Sequence, residues 1–366
     1  MTISEHLKKA VDSNASDLFL IAGARPSIRV DGRLVKYTER LLPGDTAGLV
    51  GELYRLAGRD MSRFQSDGDD DFSFSIPGLA RFRVNTYRQR GSAGLVARLI
   101  PFGIPDHETA HIPPEIMALE HLSNGMVLVT GTAGSGKSTT QACLLDRINR
   151  DRDAHIVTLE DPIEYLHKNQ EGIVSQREIG LDTKSYLTGL TACLRESPDV
   201  ILLGEMRDPE TIQTALTAAE TGHLVIATLH TKGAANAVDR IIDAFPPAQQ
   251  AQVRLQASMV LDTVISQSLV RGVDGGRVPL FEILKFMPAV RTLVREGKTH
   301  QLEQVMEGAS QDGMWPQSMY AKRLLDAGLV DADTVSEFLD DAAQRVRQPA
   351  PTWGPGSRLR RHETHA

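Results

Sequence analysis

Cysteine is scarce in this chain: Cys143 and Cys193 are the only two in 366 residues, and each sits in an apolar, helix-spaced setting. That excludes a disulfide framework and a four-cysteine zinc site, and leaves two core thiols as the expectation. No apolar run approaches the roughly 18 residues that cross a bilayer, and the start Met1-Thr2-Ile3-Ser4-Glu5-His6 lacks a signal-peptide core. The expectation is a cytoplasmic protein, peripheral to a membrane if it meets one. Positive charge is also short, with 40 Lys and Arg against 47 Asp and Glu for a net charge of −7. A surface basic throughout is therefore excluded, although a local basic channel is not. Aromatic residues make up 5%, few for the stacking platforms of a single-strand nucleic-acid translocase. What remains is globular: 41% hydrophobic and 24% charged residues suffice for sizeable cores. At about 150 residues per domain, the length predicts two domains.

The first hundred residues read as a small α+β domain. Ile3, Leu7, Ala10 and Val11 have helical spacing, while Asp17 to Ile21 and Ser27 to Val35 read as strands, the second turning at Asp31-Gly32. Phe72, Phe74 and Ile76 alternate with polar residues, Pro77-Gly78 turns, and Ala80, Phe82 and Val84 alternate again, predicting a hairpin. Arg81 and Arg83 project from the face opposite Phe82 and Val84, and a third run, Leu95 to Ile100, carries Arg98. Cross-strand charge pairing is as good a reading of these arginines as a functional one. The acidic cluster Asp67 to Asp71 reads as a solvated turn. Prolines from Pro101 to Pro114 mark a linker, 101–112, between a domain at 1–100 and a second at 113–345. Strands and helices alternate from about 124 to 230, predicting a mostly parallel sheet. From about 247 the pattern is mainly helical, with one strand candidate at Arg277 to Leu284. The tail 346–366, with Pro349, Pro351, Pro355 and then Arg358, Arg360 and Arg361, is too poor in core residues to fold.

The centre of the chemistry is Gly131-Thr132-Ala133-Gly134-Ser135-Gly136-Lys137-Ser138, followed by Thr139, which meets every position of G-x-x-x-x-G-K-[ST]. The apolar run Met126 to Val129 leads into it, and a helical pattern from Thr139 to Asn149 leaves it. Glycines let backbone N–H groups turn toward phosphate, Lys137 reaches the β- and γ-phosphates of ATP, and Ser138 can ligate Mg²⁺. In an open parallel sheet ligands sit outside the carboxyl ends of the strands. There His155 to Leu159 delivers Glu160-Asp161-Pro162, Val200 to Leu203 delivers Gly204-Glu205, and Leu224 to Leu229 delivers His230. Glu205 has the character of a Walker B acid holding Mg²⁺, Glu160 suits a group that orients or deprotonates water, and His230 suits a γ-phosphate sensor. Singly, each carboxylate is as readily a helix cap, and His223 and His230 are more readily structural histidines. Convergence on one edge favours the catalytic reading.

These motifs together resemble the PilT/PilU retraction ATPases of type IV pili, within the secretion-ATPase superfamily, from Ser16 to about residue 330. Thr158-Leu-Glu-Asp-Pro-Ile-Glu164 is similar to their Asp box, Pro198 to Asp208 to their Walker B segment, and Ala219 to Thr231 to their His box. Arg81-Phe-Arg-Val-Asn85 resembles the segment that supplies arginines to a nucleotide at a subunit interface, and Ala289 to Glu296 resembles the C-terminal retraction motif. The resemblance implies an α/β protein, a PAS-like N-terminal α+β domain followed by a RecA-like P-loop ATPase domain with a helical C-terminal part from about 247, assembled as a homohexamer. It implies that Glu160 activates water, that Glu205 holds the Mg²⁺ site, and that His223 and His230 couple γ-phosphate to movement. It implies an inner-membrane pilus platform protein as partner, and a paralogous retraction ATPase as a further one, with no nucleic acid. The missing zinc tetracysteine favours retraction over extension. Ala133 and Thr132 depart from the usual Thr and Pro, Gly313 to Met319 departs from the usual pattern, and principal and accessory motor stay open. So does a RecA-like nucleic-acid translocase.

Overall fold

Two sheets that share no strand organise the chain. The computed structural model describes residues 1–30, 32–100, 103–309 and 312–346, and omits the side chains of 340–346. The expected disordered tail lies outside the described residues, apart from Val346 at the end of its last helix, as do Asp31 and Pro101.

The first sheet is antiparallel. Its strands are β1 (Asp17–Ile21), β2 (Ser27–Val30), β3 (Arg33–Lys36), β4 (Asp69–Ile76), β5 (Ala80–Gln89) and β6 (Ser92–Ile100), in the order β3-β2-β1-β6-β5-β4. The expected hairpin is β4–β5, registered with Phe72 opposite Val84 and Phe74 opposite Phe82. The turn between them places Gly78 at φ 75°, a conformation that glycine adopts without steric cost. Phe72, Phe74, Phe82 and Val84 face a core completed by the helices Ile3–Asp12 and Pro43–Ala57.

The acidic cluster before the hairpin is a correction. Asp70 is 1% exposed; it accepts two hydrogen bonds from Arg59, both at 2.8 Å, and one from the Tyr54 hydroxyl at 2.9 Å. Burial works against its charge, but the Arg59 and Tyr54 hydrogen bonds outweigh that and hold the carboxyl below its usual range. A run of aspartates looks solvated in one dimension because the partners that bury one of them lie elsewhere in the chain.

The second sheet contains β7 (Gly125–Thr130), β8 (His155–Glu160), β9 (Ile173–Glu178), β10 (Val200–Leu203), β11 (Leu224–Leu229), β12 (Leu261–Arg271) and β13 (Arg277–Lys285), in the order β13-β12-β7-β11-β10-β8-β9. All pairs are parallel except β12–β13. Helices cover both faces, so the central strands bury every residue of their apolar runs and show no alternation. Two strands were missed. β12 follows the helix Pro247–Val260 without a turn residue between them, so the mainly helical stretch from 247 carries two strands, β12 and β13, instead of the one expected. β9 is a polar edge strand, Ile-Val-Ser-Gln-Arg-Glu, with no apolar run to announce it.

Replacing Asp70 with Ala strands the Arg59 guanidinium and leaves the buried Tyr54 hydroxyl with Thr86 Oγ1 as its remaining partner, at 2.8 Å. The expected loss is about 2–4 kcal/mol of unfolding free energy, measured by urea denaturation, against less than about 0.5 kcal/mol for an exposed change such as Asp67→Ala.

Candidate functional site

The site lies where β7, β8, β10 and β11 end. β7 leaves the sheet at Gly131 with φ 142°, and Gly134 and Gly136 also have positive φ, 76° and 89°. A Cβ on Gly131 would lie 2.3 Å from the Gln267 carbonyl oxygen and 2.7 Å from Ser135 Oγ, and one on Gly136 would lie 2.8 Å from Gln267 Nε2. β12 thus supports the loop from beneath. Gln267 Oε1 also accepts from Thr140 Oγ1 at 2.9 Å, fixing the first turn of the helix Lys137–Asp151 against the same strand. Lys137 Nζ donates to the carbonyls of Gly131 and Thr132 at 2.8 and 2.9 Å and lies 3.5 Å from His230 Nδ1. Burial lowers its pKa, against the pull of Glu164 and Glu205. The buried Ser135 Oγ has no hydrogen-bond partner.

These features fit a polyphosphate. The loop presents glycines where a side chain has no room, a helix N-terminus, a desolvated ammonium and an orphaned hydroxyl. Thr132, Ala133, Gly134, Ser135, Ser138 and Thr139 line the clefts on its two sides. Among the described residues no cluster of three or more His, Cys, Asp and Glu side chains forms a protein-only metal cage. Ser138 and Glu205 line one cleft, a pair of hard oxygen donors suited to Mg²⁺ that keeps water and phosphate oxygens as its other ligands.

The two glutamates occupy opposite electrostatic settings. Glu160 Oε1 accepts from Thr158 Oγ1 at 2.6 Å and Gln176 Nε2 at 3.1 Å. Desolvation nevertheless dominates and pushes its pKa up to about 6, with the like charge of Glu164 acting in the same direction. Glu205 lies 2.6 Å from Arg207 Nη2 and 3.4 Å from His230 Nε2. Burial opposes its charge too, but Arg207 and His230 prevail and hold it below the usual carboxylate range. His230 thus bridges Lys137 and Glu205. Gly204 brings the two acids together: a Cβ there would meet Tyr186 Oη at 3.0 Å, the Leu159 carbonyl at 3.1 Å and Glu160 Cα at 3.3 Å.

Lys137, Ser138, Glu160, Glu205 and His230 therefore share one cleft. His223 does not join them. It precedes β11 while His230 follows it, so strand rise separates the two by roughly 20 Å, and His223 Nδ1 is bonded to the Ala218 carbonyl at 2.9 Å. The arginines are paired within the chain. Arg83 Nη2 meets Asp71 at 2.8 Å and Arg98 Nε meets Asp17 at 3.0 Å, both across strand pairs. Arg81 Nη2 meets Glu178 of the second sheet at 2.6 Å. Sequence reading missed Gln267, for want of β12. It also missed Tyr165, whose hydroxyl is 2.8 Å from Thr139 Oγ1, and the neighbouring cleft of Pro105, Ile112, Leu269 and Arg277. These come from loops and from strands outside the motif, and no local signal marks them.

Residues 1–275 match the model of the family described as Type II/IV secretion system protein. The chain is 42% identical over 338 residues to the type IV pilus retractation ATPase PilT of Pseudomonas aeruginosa, covering 92% of this chain and 98% of that one. It is 44% identical over 313 residues to the twitching motility protein of Neisseria gonorrhoeae, covering 85% and 83%. Among solved structures, that of the pilus retraction motor PilT with bound ADP matches at 42% identity with a TM-score of 0.86, covering 95% of this chain and all of that one.

Because a Cβ at Gly131 meets β12 backbone that cannot step aside, Gly131→Ala should weaken binding of a fluorescent ATP analogue by about tenfold or more, the factor that 1.4 kcal/mol of loop strain produces. Gly276→Ala, at a turn with nothing within 4 Å and without a positive φ, should leave that affinity unchanged.

Proposed function

The chain belongs to the Type II/IV secretion system protein family and, within it, to the PilT-like pilus retraction ATPases, and on that premise we propose that it is the Mg²⁺-dependent ATPase motor of type IV pilus retraction. The observation that carries the proposal is the convergence of Lys137, Ser138, Glu160, Glu205 and His230 in one cleft at the carboxyl edge of the sheet. The motor would be a homohexameric ring working on an inner-membrane platform protein, removing pilin subunits as its subunits change shape.

In this reading Lys137 and the loop N–H groups hold the phosphates of ATP, with Ser138 and Glu205 as the protein ligands of Mg²⁺. When bound there, Mg²⁺ would supply charge neutralisation to the phosphates. Glu160 is the base. A carboxylate whose pKa stands near 6 is ionised at neutral pH and is a better proton acceptor than an ordinary glutamate. Glu205, held ionised by Arg207 and His230, is the poorer base and the better metal ligand. His230, between Lys137 and Glu205, is placed to register a change in phosphate charge. Arg83 is the best candidate for an arginine given to a neighbouring subunit. Its side chain is 41% exposed and its partner Asp71 is 45% exposed, so the pair is cheap to break.

Two measurements test this. Specific Mg²⁺-ATPase activity should rise with protein concentration and then saturate, as a site completed by assembly requires; a purified protein with no activity sinks the motor reading. The kcat profile should fall below pH 6, because Glu160 must be deprotonated and its raised pKa moves the loss of the charged form up to about 6. Glu160→Gln should lower kcat by about 10²–10⁴-fold and abolish that limb. A limb centred near an ordinary glutamate value instead would assign the base elsewhere.

A further inference from the structure

Arg81 and Glu178 form an ion pair with almost no solvent access. The side chains are 10% and 6% exposed, and Arg81 Nη2 stands 2.6 Å from Glu178 Oε2. Taking both charges out of water costs several kcal/mol each unless the geometry compensates, and the arginine is incompletely satisfied: Nη1 reaches Ser75 Oγ at 3.2 Å, while buried Nε has no partner. A pair of this kind is weak evidence for stability alone. What distinguishes it is what the carboxylate holds on its other side.

Glu178 ends β9, paired in register with Glu160 at the end of β8. The same oxygen that accepts from Arg81, Oε2, also accepts the backbone N–H of Ile163 at 3.2 Å. One residue on, the Ile179 N–H donates to the Glu160 carbonyl at 2.8 Å. The segment Glu160-Asp161-Pro162-Ile163 is therefore held at both ends by two consecutive residues, Glu178 and Ile179. Pro162 has no N–H to contribute to that anchoring. Arg81 fixes the rotamer of the carboxylate that makes one of the two attachments. It comes from β5 of the first sheet, so the placement of Glu160 in the second sheet depends on a residue of the other layer.

We infer that Arg81 is a positioning residue: through Glu178 it clamps the segment that carries Glu160, instead of reaching a nucleotide on a neighbouring subunit. The inference rests on the hydrolytic role of Glu160 given above. It separates the two arginines of one strand by their chemistry. Arg83 is half-exposed and bound to an exposed aspartate, whereas Arg81 is buried and committed to its own chain. Without Arg81, the buried Glu178 carboxylate loses its direct ion pair, Arg83 acting on it only through space while bonded to Asp71; it turns away or takes up a proton, and the Ile163 N–H loses its acceptor. Glu160 then keeps its chemistry and loses its position.

The test is a double-mutant cycle on the full-length assembled protein, with kcat and KM for ATP read for wild type, Arg81→Gln, Glu178→Gln and the double variant, with Glu160→Gln alongside. Each single change should lower kcat by about tenfold to a hundredfold, the scale of an ångström-sized misplacement, with KM moving by less than about twofold. The double variant should be no worse than the poorer single, because the two residues act through one link. Its two amides leave no unpaired buried charge. If the fold-losses multiply, or if KM rises while kcat stands, Arg81 meets nucleotide on its own account and the clamp is wrong. Should Arg81→Gln fail to fold, Arg81→Lys takes its place in the cycle under the same criterion. A Glu160→Gln protein that turns over normally would sink the hydrolytic reading instead, which keeps the two failures apart.

Discussion

Everything in the site depends on how closely two strands approach beneath one loop. β7 exits the sheet at Gly131 so near to Gln267 of β12 that even one methyl group there has no room. That contact sets where the loop turns, and the side chain of Gln267 then fixes the first turn of the following helix through Thr140. The position of Lys137 follows, because its ammonium is held by the carbonyls of Gly131 and Thr132. An anion site built from backbone N–H groups has little side-chain adaptability to draw on. It works only if the chain is held in a strained, glycine-dependent path by something rigid, and here that something is a buried strand of the same sheet.

Most of this architecture was legible in the sequence because it is written locally. Four strands buried on both faces read as apolar runs, each ends in a polar group, and the phosphate loop carries its own signature. The hairpin β4–β5 was equally plain, since alternation and a Pro-Gly turn are local signals. What escaped notice is what depends on a partner far along the chain. β12 runs straight on from a helix, β9 is an edge strand with polar residues, and Asp70 looks solvated until Arg59 and Tyr54 close on it. The cleft of Pro105, Ile112, Leu269 and Arg277 is assembled from loops and strands that no motif joins.

The arginines show the same division. Position on a strand told which face they leave from, and no more. Three residues of one type on adjacent strands have two different fates: Arg98 and Arg83 pair across strands with carboxylates of their own sheet, and Arg81 crosses to the second sheet. Only burial separates an ion pair that opens readily from one that does not. An exposed pair gains little in water and is lost with little cost, whereas opening a buried one leaves a charge stranded. A residue needed by another subunit must be releasable. That requirement, rather than nearness to a motif, sorts Arg83 from Arg81.

The two glutamates of the cleft illustrate how one chemical group is given two tasks. Glu160 and Glu205 end neighbouring strands, with Gly204 permitting the close approach. Had both remained ordinary carboxylates, neither would be a useful base at neutral pH and the two charges would repel. Instead desolvation and Glu164 raise one, while Arg207 and His230 lower the other despite burial. Pushing the pair apart in this way fits the proposed roles: the raised carboxyl would exchange protons near neutrality, and the lowered one would stay charged for a cation. The assignment also explains why a histidine stands between Glu205 and Lys137. In the proposed motor, a change in the charge held by the lysine would be felt first by the imidazole, then by the carboxylate it supports, and so by the side of the cleft assigned to the metal. Chemistry at the phosphate would thus reach His230 at the end of β11 through one contact and Glu205 beyond β10 through a second, both within 3.5 Å.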